Sequence, residues 1–102
     1  MTIEETYGFE DLERDYGQLT FGKALWSHRK CEEMTQKDFA MLLGITQSSL
    51  CDLEKGRKIP SPGRAAKIAR KIGMSEKTWV RIAIQDMLRA ADLEYTVSVA
   101  RP

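Results

Sequence analysis

A chain of 102 residues, 42% hydrophobic and 30% charged, is one domain able to bury a real but small core, which oligomerisation would help. A net charge of +1 excludes a simple polycation, yet the charge is unevenly placed. Residues 1–20 hold six acids and one base, residues 21–81 thirteen bases and six acids, and residues 82–102 two bases and three acids, so a basic middle able to meet phosphate follows an acidic head.

The first twenty residues scatter Ile3, Tyr7, Phe9, Leu12 and Tyr16 among those acids, with Gly8 and Gly17 as breaks. They form an acidic N-terminal arm with room for a short helix over residues 9–16. The arm is either a solvated tail or a segment that docks on a basic surface or a partner protein. From Thr20 to Glu33, Phe21, Leu25 and Trp26 recur at helical spacing and predict a helix lying across the back of residues 35–56, with Lys23, Arg29 and Lys30 at the surface. His28 and Cys31 form an H-x-x-C pair, but no second pair follows at zinc-finger spacing, so no metal site is expected.

Residues 35–56, TQKDFAMLLGITQSSLCDLEKG, organise the chain. Thr35 offers an N-cap oxygen and Asp38 stands three residues on, followed by apolar Phe39, Leu42 and Leu43. Gly44 tolerates the left-handed conformation that ends many helices, so the connection can be short. Thr46 caps a second helix whose Leu50 and Leu53 point inward while Gln47, Ser48, Ser49, Asp52 and Lys55 face elsewhere. Ala40 is small where the two helices must approach. The spacing is that of a helix-turn-helix. Here the chain resembles the XRE/Cro family of phage-repressor-like regulators, through Gln36, Ala40, Gly44, Leu50, Leu53, the run Glu54-Lys55-Gly56-Arg57 and Pro60.

Pro60-Ser61-Pro62 excludes a continuing helix, and Ser61 caps the next with Pro62 at its first position. Over residues 63–72 that helix sets Ala65, Ala66, Ile68, Ala69 and Ile72 opposite Arg64, Lys67, Arg70 and Lys71, and Gly73 ends it. Ser75 caps the last helix, with Glu76 in its first turn. Its run of Trp79, Val80, Ile82, Ala83, Ile84, Met87 and Leu88 is too apolar for one buried stripe, which points to a second chain covering part of it. Residues 93–99 alternate apolar and polar, the pattern of a strand. With no strand partner nearby, the expectation is pairing with a copy of itself across a two-fold.

The expected fold is therefore all-α: a five-helix repressor-like helix-turn-helix domain at 21–92 with its recognition helix at 46–56. An acidic arm at 1–20 precedes it, and a short C-terminal β-strand at 93–102 serves dimerisation. The expected dimer surface is Val80, Ile84, Met87, Leu88, Tyr95, Val97 and Val99. A recognition helix sets its N-terminal residues against base edges, which selects Thr46, Gln47 and Ser48, with Asp52 one turn on. The Gln47 amide donates and accepts together and so matches adenine N6 and N7. Lys55, Arg57 and Lys58 are expected on phosphate by their charge, Gln36 and Ser49 by the family resemblance; such contacts position without specifying. Cys51, beside the reading face, is a small filler or an oxidation-sensing thiol.

One histidine, and no G-x-S-x-G, P-loop or H-E-x-x-H, argue against an enzyme. No cofactor is expected. Two cysteines without a framework, no signal peptide, and no apolar run near the ~20 residues of a membrane helix point to a soluble, cytoplasmic protein. The leading expectation is a dimeric repressor on a palindromic operator. Its size and single motif further resemble the HigA-type antitoxins, a resemblance that implies autoregulation and a small toxin ribonuclease as partner. A stand-alone phage-type regulator is the alternative within the class, and a protein-protein adaptor that has lost DNA binding the alternative outside it.

Overall fold

A computed structural model describes residues 18–102. The acidic arm up to residue 17, with the expected helix at 9–16, lies outside the described residues.

Five helices follow one another: α1 Phe21–Cys31, α2 Gln36–Leu43, α3 Gln47–Glu54, α4 Pro62–Lys71 and α5 Glu76–Ala90. Each begins at a hydroxyl residue whose oxygen accepts an orphan backbone N–H of the first turn: Thr20 from Lys23, Thr35 from Asp38, Thr46 from Ser49, Ser61 from Arg64 and Ser75 from Thr78, at 3.0–3.3 Å. Such a cap stabilises a helix by about 1 kcal/mol. Gly44 ends α2 at φ +72°, where a side chain would be strained. The Lys71 Nζ reaches from α4 to donate to the Leu43 carbonyl at 2.6 Å, satisfying one of the carbonyls α2 leaves open.

The core takes Phe21 and Leu25 from α1, Phe39, Ala40 and Leu43 from α2, and Leu50 and Leu53 from α3. Helix α4 adds Ala65, Ile68 and Ala69, and α5 adds Trp79, Ile82 and Ala83. Phe21 and Trp79 meet edge-on with ring centroids 5.3 Å apart, an arrangement the aromatic quadrupoles favour. The start of α1 is held from far along the chain. The Asp86 carboxylate of α5 accepts the Phe21 backbone N–H at 2.8 Å, placing a negative charge on the positive end of the α1 dipole.

The structure corrects four expectations. Trp26 is 47% exposed and Leu42 48% exposed, although the spacing predicts both on apolar faces. Helix α1 turns Phe21 and Leu25 inward, four residues apart, and Trp26 falls one position round. Arg29, expected at the surface, is buried. The C-terminal segment is not a β-strand: among the described residues there is no strand at all. An isolated segment has no neighbouring backbone to pair with, and a side chain takes that place. The Gln85 amide donates to the Tyr95 carbonyl at 2.7 Å and accepts the Val97 N–H at 2.9 Å, spanning two residues as a ladder rung would.

Candidate nucleic-acid interface

Helix α3 is a short rod with a sealed back and an open front. Leu50 and Leu53 fix its back in the core. Its C-terminal end is fastened by charge. Glu54 accepts two hydrogen bonds from Arg29 of α1, Nε to Oε2 at 2.7 Å and Nη2 to Oε1 at 3.0 Å, the planar fork suited to a carboxylate. Arg29 Nη1 also donates to the Met34 carbonyl at 3.1 Å, tying down the α1–α2 connection. Donation to Glu54 raises the Arg29 pKa above its already high ordinary value; burial works against the rise and the Glu54 charge adds to it. The guanidinium therefore stays charged although buried.

The crossing that brings these groups together depends on Gly22. A Cβ there would overlap the Leu53 carbonyl oxygen and crowd that of Glu54, so α1 approaches the end of α3 only where no side chain intervenes.

The expected base-edge residues stand at the open end of α3. Thr46 is its N-cap and exposed, its hydroxyl oxygen turned to the Ser49 N–H at 3.0 Å. Gln47 and Ser48 are exposed, and their side chains have no hydrogen-bond partner among the described residues. Asp52, grouped with them in sequence, is half-buried and engaged: Arg57 Nη1 lies 3.3 Å and Lys58 Nζ 3.8 Å from its carboxylate oxygens. Its carbonyl also accepts the backbone N–H of both residues.

The expected phosphate residues are spread along the motif, from Gln36 at the start of α2 and Ser49 in the first turn of α3 to Lys55, Arg57 and Lys58 at and just past its end. Ser49 is half-buried and Lys55, Arg57 and Lys58 are exposed. Gln36, half-buried at the start of α2, donates its amide to Glu54 Oε1 at 3.1 Å, so the Arg29–Glu54 pair also steadies the side chain beside the rod. Lys23, Trp26, Gln36 and Lys55 line an open cleft of about 450 Å³ between α1 and α3. The exposed Trp26 indole lies under Lys30 Nζ, 5.8 Å from the ring centre.

The residues expected on a dimer surface form a separate region. Helix α5 buries Trp79, Ile82, Ala83 and Asp86 and leaves Val80, Ile84, Met87 and Leu88 half-exposed, with Val80 also touching the core. In the tail Tyr95 is 67% exposed, and Val97 and Val99 are half-exposed.

Sequence reasoning missed Arg29, Glu54 and Asp86 as a supporting set, and a signal for each was present. Arg29 extends the Phe21–Leu25 spacing by four residues, Glu54 stands four after Leu50, and Asp86 lies seven after Trp79. A charged residue in register with an apolar stripe is carried inside and must find a partner there. Among the described residues no group of three or more His, Cys, Asp or Glu could hold a metal ion, and no helix is long and apolar enough to cross a membrane.

Comparison with known proteins converges on the same segment. The helix-turn-helix family profile matches residues 29–79, half of the chain. An uncharacterized HTH-type transcriptional regulator of Methanothermobacter thermautotrophicus (strain Delta H) is 44% identical over 46 residues, which cover 45% of this chain and 67% of that protein. No solved structure matches the chain significantly.

Proposed function

The chain belongs to the helix-turn-helix family, and from that premise we propose that it is a DNA-binding transcriptional regulator, a repressor acting as a homodimer on a palindromic operator. The observation that carries this reading is the open end of α3. Gln47 and Ser48 are exposed and unengaged among the described residues, while core burial and the Arg29–Glu54 pair hold the rest of the rod. The name of the archaeal relative supports it.

In this reading α3 enters the major groove with Thr46, Gln47 and Ser48 at base edges. The Gln47 amide pairs with adenine, a contact that discriminates by about 1–3 kcal/mol. Gln36, Ser49, Lys55, Arg57 and Lys58 take phosphates on either side. Asp52 draws on Arg57 and Lys58 and so offsets part of their pull on the backbone, and it meets a base only secondarily. Residues 21–92 are the DNA-binding domain. The half-exposed side of α5, with Tyr95, Val97 and Val99, receives the second copy. The HigA-type resemblance extends the reading to an antitoxin whose further partner is a small ribonuclease toxin. Stable co-purification with the product of a neighbouring reading frame is the test of that extension.

The test of the central reading is selection of bound duplexes from a random pool, then titration of the selected site at several salt concentrations. The expected outcome is a two-fold symmetric motif and a slope of log affinity on log salt of roughly −5, for six charged contacts per dimer at about −0.9 each. Absence of duplex binding even at low salt would overturn it in favour of an adaptor that keeps the fold alone.

A further inference from the structure

A second groove opens at the exit of the recognition helix, and two of the lysines that line it, Lys55 and Lys58, also belong to the phosphate-facing set. It has a volume of about 430 Å³ and runs between the start of α1, the exit of α3 and the last turns of α5. Lys23, Lys55, Lys58 and Arg89 are the bases that line it, and Ile59 and Ala90 are among its apolar lining. The two acids that line it have partners: Glu54 pairs with Arg29 and Gln36, and Asp86 with the Phe21 N–H and with Arg89, itself part of the lining. Four bases against two acids leave the lining net positive.

Gln18 lines the same groove, and its carbonyl accepts a hydrogen bond from Lys23 Nζ at 3.2 Å. The seventeen residues that precede it carry six acids, one base and the apolar residues Ile3, Tyr7, Phe9, Leu12 and Tyr16. A segment of that composition complements an apolar groove rimmed by lysines, and it is delivered to the groove by the chain itself.

We infer that the acidic segment 1–17 is the occupant of this groove and competes with DNA phosphates for Lys55 and Lys58. The inference rests on the DNA-binding reading. Docking is intramolecular, so a weak contact suffices to keep the groove filled. A segment docked nine-tenths of the time lowers apparent DNA affinity about tenfold, because only the open fraction is competent to bind.

Two variants of the full chain test this. In the first, Glu4, Glu5, Glu10 and Glu13 become Gln, and Asp11 and Asp15 become Asn. In the second the acids stay, and Phe9 and Leu12 become Ser. Amide NMR of each protein without DNA is compared with the unaltered chain at Lys55, Gly56, Lys58 and Ile59, and duplex affinity is measured at low and high salt. Docking with competition predicts shifts at those amides in both variants. It also predicts about tenfold tighter duplex binding at low salt, fading as salt screens both contacts.

Unchanged shifts would overturn docking. Shifts with unchanged affinity would overturn competition. Tighter binding by the first variant alone would reduce the segment to long-range repulsion and overturn the proposal equally. Failure of every protein to bind duplex would refute the DNA-binding reading, while the shifts would still decide whether the segment docks.

Discussion

Arg29 and Glu54 face each other across the α1–α3 crossing in double contact, at 2.7 and 3.0 Å, with side chains only 9% and 3% exposed. Removing one partner leaves a buried charge without compensation, which costs more than the pair itself contributes. Glu54→Ala should therefore destabilise the fold by about 3 kcal/mol, whereas Arg29→Met combined with Glu54→Leu should recover most of that loss. Urea unfolding of the three proteins checks the expectation; equal losses in single and double variants would refute it. Because the Arg29 pKa is raised, its contribution is complete below the ordinary arginine value and fades only as pH climbs through the raised one. This pair is accordingly insensitive to mild alkali.

Gly22 and Gly63 both lie in helices, and opposite outcomes are expected for them. A Cβ at Gly22 meets two carbonyl oxygens of α3, while one at Gly63 meets nothing within 4 Å. Gly22→Ala should cost about 1–3 kcal/mol through forced separation of the helices. Gly63→Ala should gain about 0.5 kcal/mol from reduced chain entropy. Thermal melts that ranked the two the other way would contradict the close crossing.

Gln47→Ala should relax preference at one base pair in each half-site by about 1–3 kcal/mol without changing fold stability. Arg57→Ala should instead weaken all sequences alike and flatten the salt slope by about one phosphate contact per protomer. Comparison of selected motifs for the two variants separates the roles. An unchanged motif for Gln47→Ala would remove it from the reading face.

Asp52 offers a test of opposite sign. It draws on Arg57 and Lys58, both well exposed, so Asp52→Asn should release them and tighten binding to every duplex by up to about fivefold. Fluorescence anisotropy on matched and scrambled sites measures this. A loss confined to the matched site would instead make Asp52 a base reader.

Gln85→Ala should detach the C-terminal segment while leaving the helices intact. The hydrogen-exchange protection of the Val97 amide should disappear, and global stability should fall by about 1 kcal/mol or less. Retained protection would show that something other than the Gln85 amide holds the segment.

Local rules make most of the helical plan legible. Thr35, Thr46, Ser61 with Pro62, and Ser75 act within three residues of themselves, so their capping is readable one segment at a time. Gly44 is readable for the same reason. Arg29 and Asp86 are not, because their partners lie 25 and 65 residues away and only the assembled helices bring them together. Trp26 misleads because an apolar residue adjacent to a stripe looks like part of it. The alternation of residues 93–99 is real, but a period of two records which side chains share a face and does not supply a neighbouring strand. Around α3, the exposure of Gln47 and Ser48 follows from the pattern, while the engagement of Asp52 with its downstream cations does not.

The Lys71 amine on the Leu43 carbonyl has a consequence for modularity. Residues 35–56 look like a cassette, yet their elbow is clasped from α4 and their far end from α1. Grafted alone onto a foreign scaffold, the cassette would keep its two helices and lose the angle between them. A functional transplant must carry both outside braces with it.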